Sequence, residues 1–367
     1  MMLIVLTQMA IADYRNQFIR HLVDVMNEHD MKFKIIVGEE YFEESTKTSR
    51  FVLSLENSKV IKNSFLFKRK LAYQHLPWNT VLKADILICE LNPRILSVWL
   101  VLFLRKILNK KTIFWGHVWA RKGRNSKTEK IRNLMRKLSS SLLLYTNNQK
   151  KELLDVYGES CKESNAIFIA PNSLYYRKDM TNVLSAQSTG VIYVGRLVAS
   201  KKVDVLIKAI PLVCKVEPSI VFHIVGNGEQ SNELQKLSRE LGVEANVKFY
   251  GHIADHSNLK DIYSTSFVSI SPGYVGLSIT QSLSFGVPML ISKHENHSPE
   301  LEALQEGLNG GFFETDNPQS LANEILKYFN GRECNMFDGE RIVNDCKHRY
   351  SVETMVDGVI DSVTKTR

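Results

Sequence analysis

Arg196 and Lys201 stand five positions apart, just after the apolar run that ends in Val194-Gly195. A strand ending in glycine can turn close to a ligand. The chain then presents a guanidinium, whose planar fork matches phosphate oxygens, and an ammonium that adds a point charge at the start of a helix. Together they would hold a diphosphate and stabilise it as a leaving group. Taken alone, the pair reads more readily as two surface cations beside a helix start, and only the surrounding pattern shifts that balance.

Further glycine turns follow. Ile224-Val225-Gly226-Asn227-Gly228-Glu229 reads as a strand, a Gly-x-Gly turn and a helix, a common device of βα turns. Val247 to Tyr250 is a strand that runs into Gly251-His252-Ile253, whose backbone would meet a base. Ser271-Pro272-Gly273-Tyr274-Val275-Gly276-Leu277-Ser278 leads into a helix that ends at Gly286-Val287-Pro288. The start of that helix offers N–H groups and a positive dipole end to an anion.

Alternating strands and helices must position these turns. In the second half, strands are expected at Val191–Val194, Ile220–Val225, Val247–Tyr250, Phe267–Ile270, Val287–Ile291 and Gly311–Phe313. Helices are expected at Val203–Cys214, Gln230–Leu241, Leu259–Ser264, Leu277–Phe285 and Ser320–Tyr328. The first half repeats the rhythm more loosely. Its strands are Leu3–Leu6, Phe33–Val37, Ile86–Cys89, Thr112–Trp115, Leu142–Tyr145 and Ala166–Ile169, with helices at Asn16–Asn27 and Thr128–Leu138. Such alternation implies βαβ units and parallel sheets buried on both faces. The polar stretch Arg177–Thr189 divides an N-terminal domain, 1–175, from a second domain, 190–348, followed by a C-terminal helix at 349–367. The fold class is therefore α/β with two Rossmann-like domains facing across a cleft, where ligands of open α/β sheets bind.

In this order and spacing, the motifs between Val191 and about Tyr328 resemble the family 4 retaining glycosyltransferases, which have the two-domain GT-B fold. Ala170-Pro171-Asn172, Pro299-Glu300 and Asn309-Gly310 extend the match. The resemblance implies that Arg196 and Lys201 hold the diphosphate of a nucleotide-sugar donor, with Gly195, Gly226 and Asn227 lining the same site. It implies that Gly251, His252 and Ile253 meet the base, and that Gly273, Tyr274, Val275, Gly276, Leu277 and Ser278 cradle phosphate and sugar. It also implies that the C-terminal helix returns to the N-terminal domain. The family carries two glutamates eight positions apart around this loop. Here the first falls on Gly273 and the second on Gln281, which can still hydrogen-bond ribose hydroxyls. The P-G-Y-V-G-L form resembles a subgroup among bacterial surface-polysaccharide glycosyltransferases.

In the first half, Trp115-Gly116-His117 follows a strand and sits where such enzymes carry an active-site histidine. His117 would donate to a sugar hydroxyl or help place the acceptor; the plainer reading is a histidine satisfied locally. Tyr14, Arg15 and Asn16, just after the first strand, form a candidate acceptor-side loop. Glu90-Leu91-Asn92-Pro93-Arg94 is a similar strand end.

The whole carries a net charge of +8, divided unequally. Up to Tyr175 there are 28 Lys and Arg against 16 Asp and Glu, whereas the remainder holds 19 against 23. An anionic partner of the first half alone is implied. Ten cations and one acid, Glu129, lie between Lys110 and Lys137, around the amphipathic Thr128–Leu138. This face either rests on an anionic membrane or is a solvated basic surface whose apolar stripe packs on its own domain. Nucleic acid is not an expected partner, because interleaved aromatics and recognised modules are missing.

The opening MMLIVLTQMA reads as a strand, and Ile95 to Leu104, the most apolar stretch, is too short to span a bilayer. Five scattered cysteines (Cys89, Cys161, Cys214, Cys334, Cys346) outside any C-x-x-C pair point to a reducing cytoplasm. No zinc spacing, Walker loop or Ser-His-Asp order is present, so transfer without a metal or cofactor is expected. The acceptor is read as a glycan, lipid-linked at the inner membrane face. Two rivals share the donor class: a nucleotide-sugar epimerase, for which no carboxylate pair stands out, and a non-catalytic accessory subunit that binds the nucleotide sugar.

Overall fold

Runs of Val, Ile, Leu and Phe alternating with amphipathic segments produce two parallel sheets, described in a computed structural model for residues 1–44, 46–120, 123–158 and 166–366. Arg121 and Lys122 of the basic stretch, Cys161, and Arg367 of the expected C-terminal helix lie outside the described residues. The chain divides into one unit of Met1–Leu174 with Val352–Arg367, and a second of Tyr175–Ser351.

The first unit contains strands β1 (Leu3–Gln8), β2 (Lys32–Gly38), β3 (Ser58–Ile61), β4 (Asn63–Leu66), β5 (Leu71–Gln74), β6 (Ile86–Glu90), β7 (Lys111–Trp115), β8 (Ser141–Leu144) and β9 (Ala166–Ile169). Its helices are α1 (Asn16–Glu28), α2 (Arg50–Leu53), α3 (Trp78–Lys83), α4 (Leu96–Ile107), α5 (Glu129–Leu138) and α6 (Asn147–Tyr157). Seven strands form a parallel sheet in the order β3-β2-β1-β6-β7-β8-β9, and β4 and β5 form a separate antiparallel hairpin. One core joins Val5, Leu87, Phe114 and Leu142 of the sheet to Val98 and Val101 of α4, Met135 of α5 and Leu153 of α6.

The second unit holds β10 (Gly190–Val194), β11 (Val221–Val225), β12 (Val247–Gly251), β13 (Ser266–Ser271), β14 (Met289–Ser292) and β15 (Gly310–Phe313). Between them run α7 (Val203–Cys214), α8 (Ser231–Glu240), α9 (His256–Ser264) and α10 (Ser278–Ser284), and α11 (Pro318–Gly331) and α12 (Gly339–Tyr350) follow β15. The sheet order β12-β11-β10-β13-β14-β15 is parallel throughout and reverses direction between β10 and β13. At such a switch point the loops leaving the two strands diverge and open a ligand crevice.

The last helix, α13 (Val352–Lys365), packs on α1, β8 and β9 of the first unit. A Cβ at Gly358 would lie 2.0 Å from the Ile169 carbonyl oxygen, so only glycine permits this close approach. Ser141 Oγ and Thr366 Oγ1, 2.7 Å apart, tie its end to the sheet.

The structure differs from the expected organisation in three places. Residues 177–189 belong to the second unit, where the Thr181 and Val183 N–H groups donate to the Ser284 and Phe285 carbonyls. Arg349 and Tyr350 close α12, and α13 begins only at Val352. Ile95–Leu104, which the sequence pattern assigns to no strand or helix, lies largely in α4. Among the described residues no helix is long and apolar enough to cross a membrane.

Candidate functional site

Three glycine turns leave the ends of β10, β11 and β12 and are stitched together through their backbones. The Gly195 N–H donates to Val225 O at 3.0 Å, Gly226 N–H to Gly251 O at 2.7 Å, and Leu197 N–H to Asn227 O at 2.9 Å. Gly226 has φ +142°, and a Cβ there would stand 1.8 Å from Gly195 O. A Cβ at Gly228 would stand 2.1 Å from Leu197 O. Sterics thus require glycine at both positions. Gly251 has φ +70° and Asn227 Oδ1 as its nearest neighbour at 3.6 Å; His252 beside it is exposed and Ile253 half-buried.

Arg196 is exposed, its carbonyl accepting from Tyr193 Oη at 2.9 Å. Lys201 is half-buried and reaches across the switch point, where Nζ donates to the Tyr274 carbonyl at 2.7 Å and lies 4.8 Å from the Tyr274 ring centre. Burial, helped by the Arg196 charge, lowers its pKa to about 8. This cation is therefore held among groups that solvate it poorly, and an arriving anion would restore its full charge.

Gly273 accounts for the departure from the glutamate pattern. A Cβ at this position would lie 2.5 Å from Ser200 O and 2.8 Å from the Lys201 carbonyl carbon. The Lys201 loop occupies the space that a side chain would need, and the Tyr274 N–H donates to Ser200 O at 3.0 Å. The Val275 N–H donates to His297 Nδ1 at 3.1 Å. His297 Nδ1 must then be unprotonated, so Nε2 carries the proton and donates to Ser292 O at 2.7 Å. Burial lowers the His297 pKa and favours this neutral form. Tyr274 and Val275 thus spend their N–H groups internally. Those of Gly276, Leu277 and Ser278, at the start of α10, meet no acceptor among the described residues. Gln281 Nε2 donates to Tyr175 Oη at 2.8 Å, which leaves its carbonyl oxygen as an acceptor.

The strand ends of the first unit carry side chains instead. Arg15 is buried with a guanidinium that donates to Tyr145 Oη at 3.0 Å, Asn172 Oδ1 at 3.4 Å and Tyr14 Oη at 3.4 Å, and sits 5.1 Å from the Trp115 ring. Burial opposes its charge, and the Tyr145 and Tyr14 hydroxyls more than compensate, raising its pKa. Glu90, at the end of β6, accepts from the Met9 N–H at 2.6 Å; burial raises its pKa to about 7 against the pull of Met9 and Arg15. His117 is exposed, with its ring 4.7 Å from Tyr145 and Nδ1 3.4 Å from Gln149 Nε2. Gly116 before it lies against Leu91, where a Cβ would be 3.2 Å away.

The structure brings Arg15 and Tyr14 to His117 through Tyr145. Asn16 is not part of this group: its Oδ1 accepts from Ser49 Oγ at 2.6 Å at the start of α1. His297 and Tyr145 were not singled out in the sequence. Tyr145 ends a run with no motif of its own, and His297 precedes Pro299-Glu300 with nothing to mark its contact with Val275. Among the described residues no group of three or more His, Cys, Asp or Glu gathers as a metal site.

Residues 177–338 match the family model described as glycosyl transferases group 1. A Haemophilus influenzae uncharacterized glycosyltransferase is 25% identical over 68% of this chain and 69% of its own length. A Staphylococcus aureus poly(ribitol-phosphate) alpha-N-acetylglucosaminyltransferase is 24% identical over 45% of this chain, and the chain spans only 33% of that relative. Among solved structures, Anabaena HepE in complex with UDP aligns with TM-score 0.72 and 16% identity over 99% of this chain and 100% of that one. The apo lipopolysaccharide outer core galactosyltransferase WaaB aligns with TM-score 0.72 and 16% identity over the whole of both chains. The glycine-stitched loops of the second unit thus lie within a stretch that matches the group 1 glycosyltransferases, and the two Rossmann-like units have the GT-B fold.

Proposed function

We propose that the protein moves a sugar, with retention at its anomeric carbon, from a nucleotide diphosphate sugar to a lipid-linked glycan acceptor in surface polysaccharide synthesis. One observation carries the reading. The half-buried Lys201 ammonium and the unclaimed N–H groups of Gly276, Leu277 and Ser278 belong to two loops that Gly273 holds together, with Arg196 on the first of them. The UDP bound by HepE and the substrates named for the relatives support the donor class by analogy.

In this reading Arg196 and Lys201 receive the diphosphate and the Gly276–Ser278 amides take its terminal phosphate. Gly251 to Ile253 meet the base, and Gln281 accepts from the ribose. The bond from the anomeric carbon to phosphate oxygen breaks, and the diphosphate leaves with the electron pair. The acceptor hydroxyl attacks from the same face and its proton passes to the departing phosphate oxygen. Arg196 and Lys201 supply the positive charge that this leaving group requires, so the step calls for no metal or further cofactor. Donors fixed in advance around developing charge are commonly worth about 3 kcal/mol each. On the acceptor side, Tyr14, Arg15 and His117 would orient the incoming glycan, with Glu90 beside them. The enzyme would work in the cytoplasm, resting on the inner membrane face.

The test is turnover by the purified chain with UDP-, GDP-, dTDP- and ADP-sugars and a polyprenyl diphosphate-linked glycan, with the product anomer read by NMR. Release of the nucleoside diphosphate with a retained anomer supports the reading. An inverted anomer contradicts retention, and a released sugar epimer without transfer would favour an epimerase.

A further inference from the structure

α4 crosses over between β6 and β7, and α5 between β7 and β8. Successive crossovers in one direction of a parallel sheet lay their helices side by side on one face, and these two are in contact. Their inner sides, with Val98, Val101 and Met135, belong to the core. The outer side of such a helix is ordinarily polar. On α4 it is instead Leu96, Leu100, Phe103 and Ile107, at i, i+4, i+7 and i+11, a single stripe about 16 Å long. Phe103 and Ile107 are 64% and 66% exposed. On α5, Ile131 and Leu134 are 51% and 52% exposed. Scattered exposed leucines are ordinary, but an unbroken stripe along one helix, with two more exposed apolar side chains on the helix beside it, marks an interaction surface.

The charge around the stripe identifies its partner. Lys106, Lys127, Lys130 and Lys137 are all exposed on these helices or at their start. The acid of this region, Glu129, is buried and paired with Arg136, and Asp85 nearby is paired with Lys110. Apolar side chains flanked by long cations suit the boundary between lipid tails and anionic headgroups, where lysine stems lie along apolar surface and their ends reach phosphate. A second copy of the chain would oppose lysine to lysine. We infer that the outer face of α4 and α5 docks on an anionic lipid surface, with the α4 stripe lying in the interface and the lysines on the headgroups. This deepens the lipid-linked acceptor reading, but vesicle binding itself does not depend on turnover.

Flotation of the full chain with vesicles of phosphatidylcholine, alone or with phosphatidylglycerol, tests it at low and high salt. Binding is expected only with phosphatidylglycerol and should weaken as salt rises. K127Q/K130Q/K137Q should lower partitioning by about fivefold per lysine. F103S/I107S should lower it about tenfold or more per side chain. Both variants must keep the wild-type melting curve and its shift with nucleoside diphosphate, which separates lost docking from lost fold or donor site. Equal binding to both vesicle types, or to neither, would overturn the inference. So would a concentration-dependent dimer in sedimentation that F103S/I107S abolishes. Vesicle binding without turnover on any acceptor would leave the docking face standing and count against the proposed function.

Discussion

The strand ends of the two units carry opposite kinds of chemistry. In the second unit, backbone meets backbone: Gly226, Gly228 and Gly273 let loops approach closer than a Cβ would permit, and the N–H groups of Gly276, Leu277 and Ser278 meet no acceptor among the described residues. In the first, side chains fill the same kind of position: Arg15 is buried among Tyr14, Tyr145 and Trp115, with Glu90 and His117 at neighbouring strand ends. Backbone suits a constant partner such as a diphosphate, because every nucleoside diphosphate sugar presents the same oxygens. Side chains can vary with the acceptor at little cost to the fold. The contrast teaches that the second unit should fail by sterics and the first by chemistry.

The contrast is broken most sharply at Gly226. G226A places a methyl against Gly195 O in a backbone region closed to other residues, and it should destabilise the second unit by about 3 kcal/mol or more. G251A, with nothing nearer than 3.6 Å, should cost about 1 kcal/mol for its positive φ alone. Chemical denaturation of the two variants checks the difference, and similar losses would mean that the stitched turns do not matter.

Next come the cations. R196A and K201A should each lower kcat/KM by about 100-fold, near 3 kcal/mol, and weaken nucleoside diphosphate binding in calorimetry. R15A should leave that binding unchanged while turnover falls, because Arg15 belongs to the other unit.

Glu90 gives the first unit a signature in pH. Its pKa is raised by burial to about 7 in the folded chain, so the unfolded chain gives up its proton first as pH rises. Stability should fall between about pH 4.5 and 7, by roughly 3 kcal/mol at most, and E90Q should remove that slope. The smallest effect belongs to Lys201. With a pKa lowered to about 8 by burial, it is charged below that pH and neutral above it. Nucleoside diphosphate affinity should hold steady up to about pH 8, then weaken by up to about tenfold per unit, and K201Q should abolish the dependence.

Much of the second unit was legible because its motifs are also its sterics. Each strand-ending glycine announces a turn, and the strands at Val191–Val194 and Val247–Tyr250 emerged within a residue of β10 and β12. The replacement of glutamate by Gly273 was visible in the sequence, but its cause, the Ser200–Lys201 backbone lying against it, is a tertiary contact that local pattern does not encode. The first unit was legible only as a rhythm of strands. Its short β3 and the β4–β5 hairpin lack a clean alternation, and α4, apolar on both sides, offers no period to read. Arg15 read as a loop residue because nothing in its neighbours shows that Tyr145, 130 positions away, closes over it.

On the proposed function, the second unit binds a nucleoside diphosphate through Arg196, Lys201 and the Gly276–Ser278 amides. Thermal unfolding with UDP, GDP, dTDP, ADP and CMP tests it directly. A ligand at 100 times its dissociation constant adds about 2.7 kcal/mol of stability. A clear rise in melting temperature is expected with one diphosphate and little with CMP, and the rise should be lost in R196A and K201A. A rise that survives in both variants, or none with any diphosphate, would contradict it.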